Sequence, residues 1–385
     1  MSDTTIELLR DLIAIDSVNP SLVPGGAGEA GVADRVASEL RSIGLDVEIT
    51  EAAPGRPNVV GVLEGRLPGP ALMFCGHLDT VGVEGMKSPF DPVQRDGRIY
   101  GRGSQDMKGG VAAMIGAARK LASSGRINRG RIIIAGVADE EYASIGADAL
   151  AERMHAGGIH ADAAVVTEPT DLIVAVGHKG FSWIEVLVQG RAAHGSRPSE
   201  GRDAITRMGR VLSRLEQLDR RLQSQPPHPI LGTGSLHGSF ITGGRELSTY
   251  PDKCVLQFER RTITGESGDT ALTEAQTILE AIRSEDPEFE ASARLMFSRP
   301  PYETPLNHAL PFALEESLAE LGKTARRSGM TFWTDAAVLG NAGTPSVVFG
   351  PGGYGLHSLE EYVIAEEVLV CQDALAKVAE RFLES

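Results

Sequence analysis

Short apolar runs without charged residues recur along this chain, and they constrain its fold more than any other feature. Such runs are found at 71–75 (ALMFC), 132–137 (IIIAGV), 163–166 (AAVV) and 346–349 (SVVF). A strand with one face in water alternates polar and apolar residues, which these runs do not do. Because segments with helical periodicity lie between them, the sequence predicts an α/β layered sheet whose strands are buried on both faces.

The pattern changes in the middle of the chain. The run at 181–189 (FSWIEVLVQ) mixes apolar and polar positions, as a half-solvated strand does, and two helices and further strands follow it. Several strands with two helices predict a small α+β unit inserted into the larger one. We expect a first domain formed by 1–179 and 298–385, with 180–297 as the insertion.

Charge and cysteine content exclude several classes of protein. The chain has 385 residues and a net charge of −15, from 52 acidic and 37 basic side chains. An acidic surface does not favour nucleic acid, which requires basic faces. No apolar run approaches the roughly 18 residues of a membrane span, and the start of the chain resembles a first helix more than a signal peptide. The three scattered cysteines are typical of reduced thiols, so we expect a cytoplasmic protein without nucleic-acid or membrane partners.

His77 and Asp79 directly follow the first of these apolar runs. A strand that ends in polar residues presents them at the edge of the sheet, where α/β proteins place their sites. A metal-binding histidine commonly has a carboxylate beside its second nitrogen. A loop-capping role for the pair is an open alternative.

The glycine-rich segment 101–110 (GRGSQDMKGG) resembles a dinucleotide-binding loop only superficially. The GxGxxG pattern requires glycine where Asp106 stands, so binding of a pyrophosphate is excluded. Asp106 could cap the following helix, or a rigid turn could hold its carboxylate as a bridging metal ligand.

Three further acidic or histidine sites also follow apolar strands or loops: 139–141 (DEE), Glu168 in TEPT, and His357 in a glycine-rich segment. Each one alone could be structural. Together with His77 and Asp106 they offer the mixture of carboxylate and imidazole that suits a pair of divalent ions. The sequence contains no GxSxG, GxxxxGK[ST] or HExxH motif for other catalytic classes.

Taken together, the motifs resemble the dinuclear-zinc peptidase and deacylase family that contains acetylornithine deacetylase, succinyl-diaminopimelate desuccinylase, aminoacylase and glutamate carboxypeptidase. The resemblance spans nearly the whole chain and rests on HLDT, GRGSQDMKGG, DEE, TEPT, RAAHGSRPSEGRDAI, YPDKC, ERRT and GPGGYGLHSLEEYV. It implies a mixed-sheet catalytic domain with helices on both faces, interrupted by a smaller lid and dimerisation domain. It also implies a homodimer formed through that lid.

The resemblance implies a ligand set for two ions. His77 and Glu168 would hold one ion, Glu141 and His357 the other, and Asp106 would bridge both. Zinc is the expected metal, although cobalt and manganese suit the same ligands.

The resemblance also implies the catalytic roles. Asp79 would orient His77, and Glu140, beside a ligand but not itself one, would be the general base that takes a proton from water and delivers it to the leaving amine. His194 would reach the site of the partner subunit and stabilise the oxyanion. From its position alone, His194 would be a turn histidine on a strand edge.

Substrate contacts follow from the same comparison. Arg261 matches an arginine that binds substrate carboxylate, a task that suits the guanidinium fork, whereas the neighbouring Arg260 is expected to be a surface charge. Ser248 stands where the family usually has asparagine, which alters the donor offered to substrate. Gly353 is expected to lie against the substrate.

The function implied is a metal-dependent amidohydrolase that removes an acyl group from an N-acyl amino acid. An exopeptidase acting on a dipeptide or releasing C-terminal glutamate is the alternative within the family. A non-catalytic, metal-stabilised binding protein is the alternative from another class, but such a protein has no need of Glu140. A nucleotide-dependent ligase or dehydrogenase is disfavoured by the failed glycine motif.

Overall fold

A computed structural model describes residues 3–125 and 127–384. The chain divides into two compact units. Unit 1 comprises Met1–Gly177, Glu303–Gly329 and Thr334–Ser385, and unit 2 comprises His178–Tyr302 and Met330–Trp333. The predicted insertion, 180–297, falls inside unit 2.

The α-helices of the described ranges are α1 (Thr4–Ala14), α2 (Ala30–Ser42), α3 (Gly109–Ser124), α4 (Ile145–His155), α5 (Ala204–Ser224), α6 (Thr270–Glu285), α7 (Ala309–Glu320), α8 (Ala336–Asn341) and α9 (Ala365–Glu384). None of these helices combines the length and apolar character that crossing a membrane requires.

The strands of the same ranges are β1 (Asp46–Ala53), β2 (Arg56–Glu64), β3 (Leu67–His77), β4 (Val93–Arg95), β5 (Arg98–Tyr100), β6 (Arg129–Val137), β7 (Ala163–Val166), β8 (Val174–His178), β9 (Gly180–Gln189), β10 (Ser235–Gly243), β11 (Lys253–Thr262), β12 (Glu290–Arg299), β13 (Tyr302–Glu303), β14 (Arg327–Met330), β15 (Ser346–Val348), β16 (Gly353–Tyr354) and β17 (Tyr362–Ile364).

The main sheet has the order β1-β2-β6-β3-β7-β15-β8-β13, with β14 paired to β8. Its centre is parallel, because β6 and β7 both run parallel to β3 and β15 runs parallel to β7. At its ends the sheet is antiparallel, as in the pairs β1–β2 and β15–β8. The carboxyl ends of β6, β3, β7 and β15 therefore meet at one edge, where ligands bind in α/β sheets.

Helices cover both faces of this sheet. On one face α3 packs against α1, α9 and β3, and a Cβ at Gly76 of β3 would lie 3.2 Å from Val111 of α3. On the other face the side chain of Asn58 accepts a hydrogen bond from the backbone of Ala138 and donates one to Gly146 of α4. The predicted mixed α/β fold with helices on both faces is confirmed.

A second, smaller sheet of unit 1 has the order β16-β17-β5-β4. It joins the segment that precedes the glycine-rich turn at 101–108 to the segment that follows His357. These short strands lay outside the sequence predictions, because two or three residues carry no periodicity that a sequence pattern can detect.

Unit 2 is built on the antiparallel sheet β10-β11-β9-β12, with α5 and α6 packed against it. Alternate residues of β9, among them Ile184 and Val186, enter a core that includes Phe258 of β11 and Met208 of α5. This is the one-sided burial that alternating strands predict. Strand β12 also alternates, but the sequence predictions missed it.

Arg260 of β11 contradicts the prediction of a surface charge. It is 0% exposed, and its guanidinium donates to Glu266 Oε1 at 2.6 Å and to Glu274 Oε2 at 3.1 Å. A buried arginine requires such partners, because an unpaired charge in the interior is costly. The prediction failed because both partners lie beyond the end of the strand and approach only in the folded chain.

Candidate metal centre

The predicted ligands of unit 1 converge at the carboxyl edge of the main sheet. His77 is the last residue of β3, Glu141 follows β6 and Glu168 follows β7. His357 lies in the loop between β16 and β17, and Asp106 lies in the turn that leads into α3. Topology thus places together five side chains that are widely separated in the sequence.

The two carboxylate oxygens of Asp106 face two different histidines. Oδ1 lies 3.0 Å from Nε2 of His77, and Oδ2 lies 3.4 Å from Nε2 of His357. The same His77 atom lies 3.8 Å from Glu168 Oε1, while His357 Nε2 lies 3.1 Å from Glu141 Oε2. Asp106 therefore stands between two groups of ligand atoms, as a bridging carboxylate must.

Two glycines allow Glu168 to reach this position. A Cβ at Gly110 of α3 would lie 1.9 Å from the carbonyl oxygen of Thr167, and one at Gly350 would lie 2.3 Å from the carbonyl oxygen of Glu168. Any side chain at either position would displace the backbone that carries Glu168.

Asp79 contacts both His77 and the segment that follows β6. The Nδ1 atom of His77 is 3.0 Å from the backbone carbonyl of Asp79 and 3.5 Å from its carboxylate. The carboxylate accepts hydrogen bonds from the N–H groups of Glu140 at 3.1 Å and Glu141 at 3.2 Å. Asp79 therefore holds His77 through its main chain and the 140–141 segment through its side chain.

A buried polar network behind Asp79 escaped the sequence analysis. The side-chain amide of Asn19 donates to Asp79 Oδ2 at 2.7 Å and to Asp139 Oδ1 at 3.0 Å. Asp139 Oδ1 also accepts from Arg56, which forms a two-point contact with Glu29. The only sequence signal was the pair Ser17 and Asn19 just after an apolar helix, and such polar residues are common in loops.

The electrostatics of His77 favour a cation beside it. Burial disfavours its charged form, but the facing carboxylates of Glu168, Asp106 and Asp79 outweigh burial and raise the pKa of His77 well above its usual range. Because a carbonyl oxygen only accepts, the Nδ1 atom must carry the hydrogen. A neutral ring then directs the lone pair of Nε2 at carboxylate oxygens, which is favourable only with a proton or a metal ion between them.

The carboxylates of the cluster show the same excess of negative charge. Burial, together with the charge of Asp106, raises the pKa of Glu141 to about 7. Burial also raises the pKa of Glu168 well above its usual range, and the pKa of Glu140 rises through burial and the charge of Glu168. Hydrogen bonds with Asp106 and Glu141 raise the pKa of His357 to about 10.

The residues present fit divalent ions. Ligand atoms that bind one ion at about 2.0–2.2 Å lie somewhat more than 3 Å apart, and the distances between histidine and carboxylate atoms at this site, 3.0–3.8 Å, match that spacing. Oε1 of Glu141 is buried without a hydrogen-bond partner within the described part of the chain. A buried carboxylate oxygen with no donor is the feature that a metal ion explains.

Two sets of residues in the described part of the chain bring their possible ligand atoms close together. One contains His77, Asp106 and Glu141, and the other contains His77, Glu140 and Glu168. Glu140 thus lies within reach of the ligands, a position that suits either a ligand or a base acting on water at the centre.

Asp335 is a further acid near the centre that the sequence analysis missed. It is 1% exposed. After burial and Glu168, its charge contributes to the raised pKa of Glu140. Its signal in the sequence was weak, because it precedes a helix and an aspartate there is an ordinary helix cap.

Three of the predicted substrate residues belong to unit 2. His194 is exposed and its Nδ1 lies 2.8 Å from the hydroxyl of Ser196. Its backbone forms a bridge with Thr249, and the N–H of Gly195 donates to the carbonyl of Ser248 at 2.6 Å. His194 and Ser248 are therefore neighbours.

Arg261 projects from the same sheet and is half-buried. Its Nε donates to Glu259 Oε1 at 2.6 Å, and its guanidinium lies 5.4 Å from the ring centre of Phe181. These contacts restrain the position of the guanidinium group. The substrate roles of His194, Ser248 and Arg261 stay predictions.

Gly353 lies in β16 of unit 1, paired with Val363. A Cβ there would lie 2.1 Å from the carbonyl oxygen of Tyr362. This close approach of two strands already requires glycine, so a substrate contact is not needed to explain it.

Comparison with known proteins finds related sequences that match most of the chain. A family model described as peptidase family M20/M25/M40 matches residues 73–381. Acetylornithine deacetylase of Myxococcus xanthus is 31% identical over 99% of this chain and 99% of the relative.

Solved structures share the fold at lower identity. An M20 family metallo-carboxypeptidase from Sulfolobus solfataricus has a TM-score of 0.81 at 16% identity, with 100% of each chain covered. A dinuclear metal binding peptidase of the M20 family from Bacillus subtilis has a TM-score of 0.76 at 17% identity and covers 99% of this chain and 98% of its own. At these identities the likeness concerns the fold alone.

Proposed function

The chain belongs to peptidase family M20/M25/M40, as its motifs predicted, and is a hydrolytic enzyme; from this premise we propose that it removes an acyl group from an N-acyl amino acid. The relative with the name acetylornithine deacetylase, which matches over nearly the full length of both chains, supports this substrate class. The position of Glu140 beside the proposed ligands carries the hydrolytic part of the proposal, and this relative carries the substrate class.

In this proposal His77 and Glu168 hold one divalent ion, Glu141 and His357 hold a second, and Asp106 bridges them. Zinc is the proposed metal. When bound, such ions polarise the amide carbonyl and lower the pKa of water, which makes it a nucleophile at neutral pH.

Glu140 moves the proton. Its carboxylate takes a proton from the attacking water and returns it to the nitrogen of the leaving amine, which cannot depart as an anion. Burial raises the pKa of Glu140, which favours retention of the proton between these steps. Asp79 fixes the backbone N–H of Glu140 and thereby limits where its carboxylate can lie.

Arg261 and Ser248 are the proposed substrate contacts. Arg261 binds the carboxylate of the substrate, and a hydrogen bond to Glu259 holds its guanidinium in place. Ser248, in the place usual for asparagine, offers a shorter donor and shifts specificity within the family.

The protein is proposed to act as a homodimer through unit 2, with His194 of each protomer serving the site of the other. The edge strand β10 exposes Phe240 (71%) and Ile241 (53%), and α5 exposes Ile205 (45%), whose side chain would lie 3.0 Å from a Cβ at Gly243 of β10. Apolar side chains on an unpaired sheet edge favour association with a second chain.

The protein is also proposed to act in the cytoplasm. The three cysteines of the chain are buried free thiols, which suit a reducing compartment.

The test is a substrate panel with metal-reconstituted protein. Metal-free protein is loaded with zinc, cobalt or manganese and assayed on N-acetylornithine, N-succinyl-diaminopimelate and simple dipeptides. Hydrolysis of an N-acyl amino acid supports the proposal, whereas hydrolysis of dipeptides alone replaces it with an exopeptidase. Tight metal binding without turnover of any compound would favour a non-catalytic binding protein.

A further inference from the structure

Glu361 is a buried carboxylate, 1% exposed, that contacts the turn carrying Asp106. Its Oε1 atom accepts hydrogen bonds from the backbone N–H groups of Gln105 at 2.9 Å and Asp106 at 3.1 Å. Its Oε2 atom accepts from the N–H of Gly103 at 3.0 Å and from Nη1 of Arg102 at 2.6 Å. One side chain thus satisfies three backbone donors of an irregular turn, together with a guanidinium.

Further hydrogen bonds join this turn to the segment that carries His357. Arg102, which is 3% exposed, donates through Nη2 to the carbonyl of Ser358 at 2.9 Å. The N–H of Gly101 donates to the carbonyl of Glu361 at 3.2 Å. Two segments, 101–106 and 357–361, are therefore joined by side-chain and backbone bonds, and each of them carries one proposed ligand.

The chemistry of the contact explains why a carboxylate stands there. The turn presents N–H donors that no regular helix satisfies, and a buried donor without an acceptor is destabilising. An ionised carboxylate accepts at both oxygens and donates at neither, so it can serve all four donors at once. An amide of the same shape would direct its NH2 group at N–H donors.

We propose that Glu361 is a positioning residue of the metal centre, which fixes the backbone of 103–106 against 357–361 and thereby sets the position of Asp106 relative to His357. The inference rests on the proposed function, because it takes Asp106 and His357 as metal ligands. It assigns to Glu361 a part complementary to that of Asp79, which supports His77 and the 140–141 segment on the other side of the centre.

The test compares Glu361→Gln with Glu360→Gln. Glu360 is the adjacent, exposed acid, so its substitution removes the same charge without touching the turn. Metal-free proteins are titrated with Co²⁺ alone and followed by visible absorption, with a competing chelator to set the affinity. We expect Glu361→Gln to bind Co²⁺ about 10- to 100-fold more weakly than wild type, with an altered visible spectrum, as for other residues that support metal ligands. Glu360→Gln should match wild type in both.

Circular dichroism and thermal unfolding of the metal-free proteins show whether each variant is folded. If Glu361→Gln does not fold, Glu361→Asp takes its place, because it keeps the charge that pairs with Arg102 but withdraws the oxygens from the turn. A folded variant that binds Co²⁺ within threefold of wild type and with the wild-type spectrum would overturn the inference. A wild-type protein that binds Co²⁺ but hydrolyses no substrate would contradict the proposed function and leave this comparison intact.

Discussion

The carboxylate of Asp79 accepts a hydrogen bond from the backbone N–H of Glu140 at 3.1 Å, so the residue expected to orient His77 also fixes the proposed base. The two residues follow β3 and β6, neighbouring parallel strands whose ends meet at the same edge of the sheet. Because Asp79 contacts both residues, a displacement of Asp79 would shift the proposed ligand His77 and the proposed base Glu140 together.

We expect Glu140→Gln to retain both metal ions and lose turnover by at least about 100-fold, because the amide cannot accept the proton of water. The measurements are metal content by elemental analysis and kcat on the best substrate of the panel. Glu84→Gln, an exposed acid of the same unit, is the control. Turnover within a few-fold of wild type would exclude Glu140 as the base.

Removal of metal should abolish turnover and lower the melting temperature. Without cations the carboxylates of Asp106, Glu141 and Glu168 repel one another in a buried centre. Ions that bind the folded chain stabilise it by about 4 kcal/mol at a free concentration 1,000 times Kd. The check is thermal unfolding after chelation and after zinc is restored, and an unchanged melting temperature would contradict a metal centre made of these residues.

Gly110→Ala should displace Glu168 and destabilise unit 1. The new Cβ would lie 1.9 Å from the carbonyl oxygen of Thr167, which belongs to backbone and cannot move aside. Overpacking of this kind costs about 1–3 kcal/mol, and we expect metal affinity and kcat to fall with it.

The control is Gly209→Ala in α5, where a Cβ meets nothing within 4 Å. There alanine should be neutral or should stabilise the helix by up to about 1 kcal/mol. Equal behaviour of the two variants in urea denaturation and Co²⁺ binding would refute the role of Gly110.

Arg260→Met should lower the free energy of unfolding by about 3–5 kcal/mol, because it leaves Glu266 and Glu274 without their buried partner. Arg220→Met is the matched control, since Arg220 is 73% exposed and its pair with Glu216 contributes little. Urea denaturation measures both, and a loss below about 1 kcal/mol for Arg260→Met would contradict the buried ion pair.

His178 should make stability depend on pH. It is 0% exposed, and burial lowers its pKa from 6.5 to about 4. Between these values the unfolded chain binds a proton that the folded chain does not, so stability falls as the pH falls. Relative to His178→Phe, the wild type should lose about 1.4 kcal/mol per pH unit across this window and nothing above it. Parallel pH profiles from urea denaturation would contradict this.

Local chemistry determined much of the fold in advance. The uncharged runs in β3, β6, β7 and β15 predicted the buried sheet. Strands covered on both faces lack the alternation of polar and apolar residues that half-exposed strands show. The alternation of β9 predicted the different, one-sided sheet of unit 2. The short strands β4, β5, β16 and β17 were missed, since their pairing comes from distant segments and not from their own pattern.

The types of residue in the sequence also indicated the metal centre. His77, Asp106, Glu141, Glu168 and His357 offered metal ligands before any geometry was known, because each carries a donor that divalent ions favour and stands at a strand end or in a glycine-rich turn. Their sequence positions said nothing about distances, and the two-sided position of Asp106 between His77 and His357 required the folded chain.

Tertiary structure alone decided which charges are buried and what supports the ligands. Arg260 and Glu361 resemble surface residues in sequence, yet both are buried, because their partners come from other elements and approach only on folding. Asn19 reaches Asp79 for the same reason. A sequence determines the donors and acceptors that a chain possesses and the periodicity of its strands and helices, whereas burial and pairing depend on contacts between distant segments, which a local pattern does not contain.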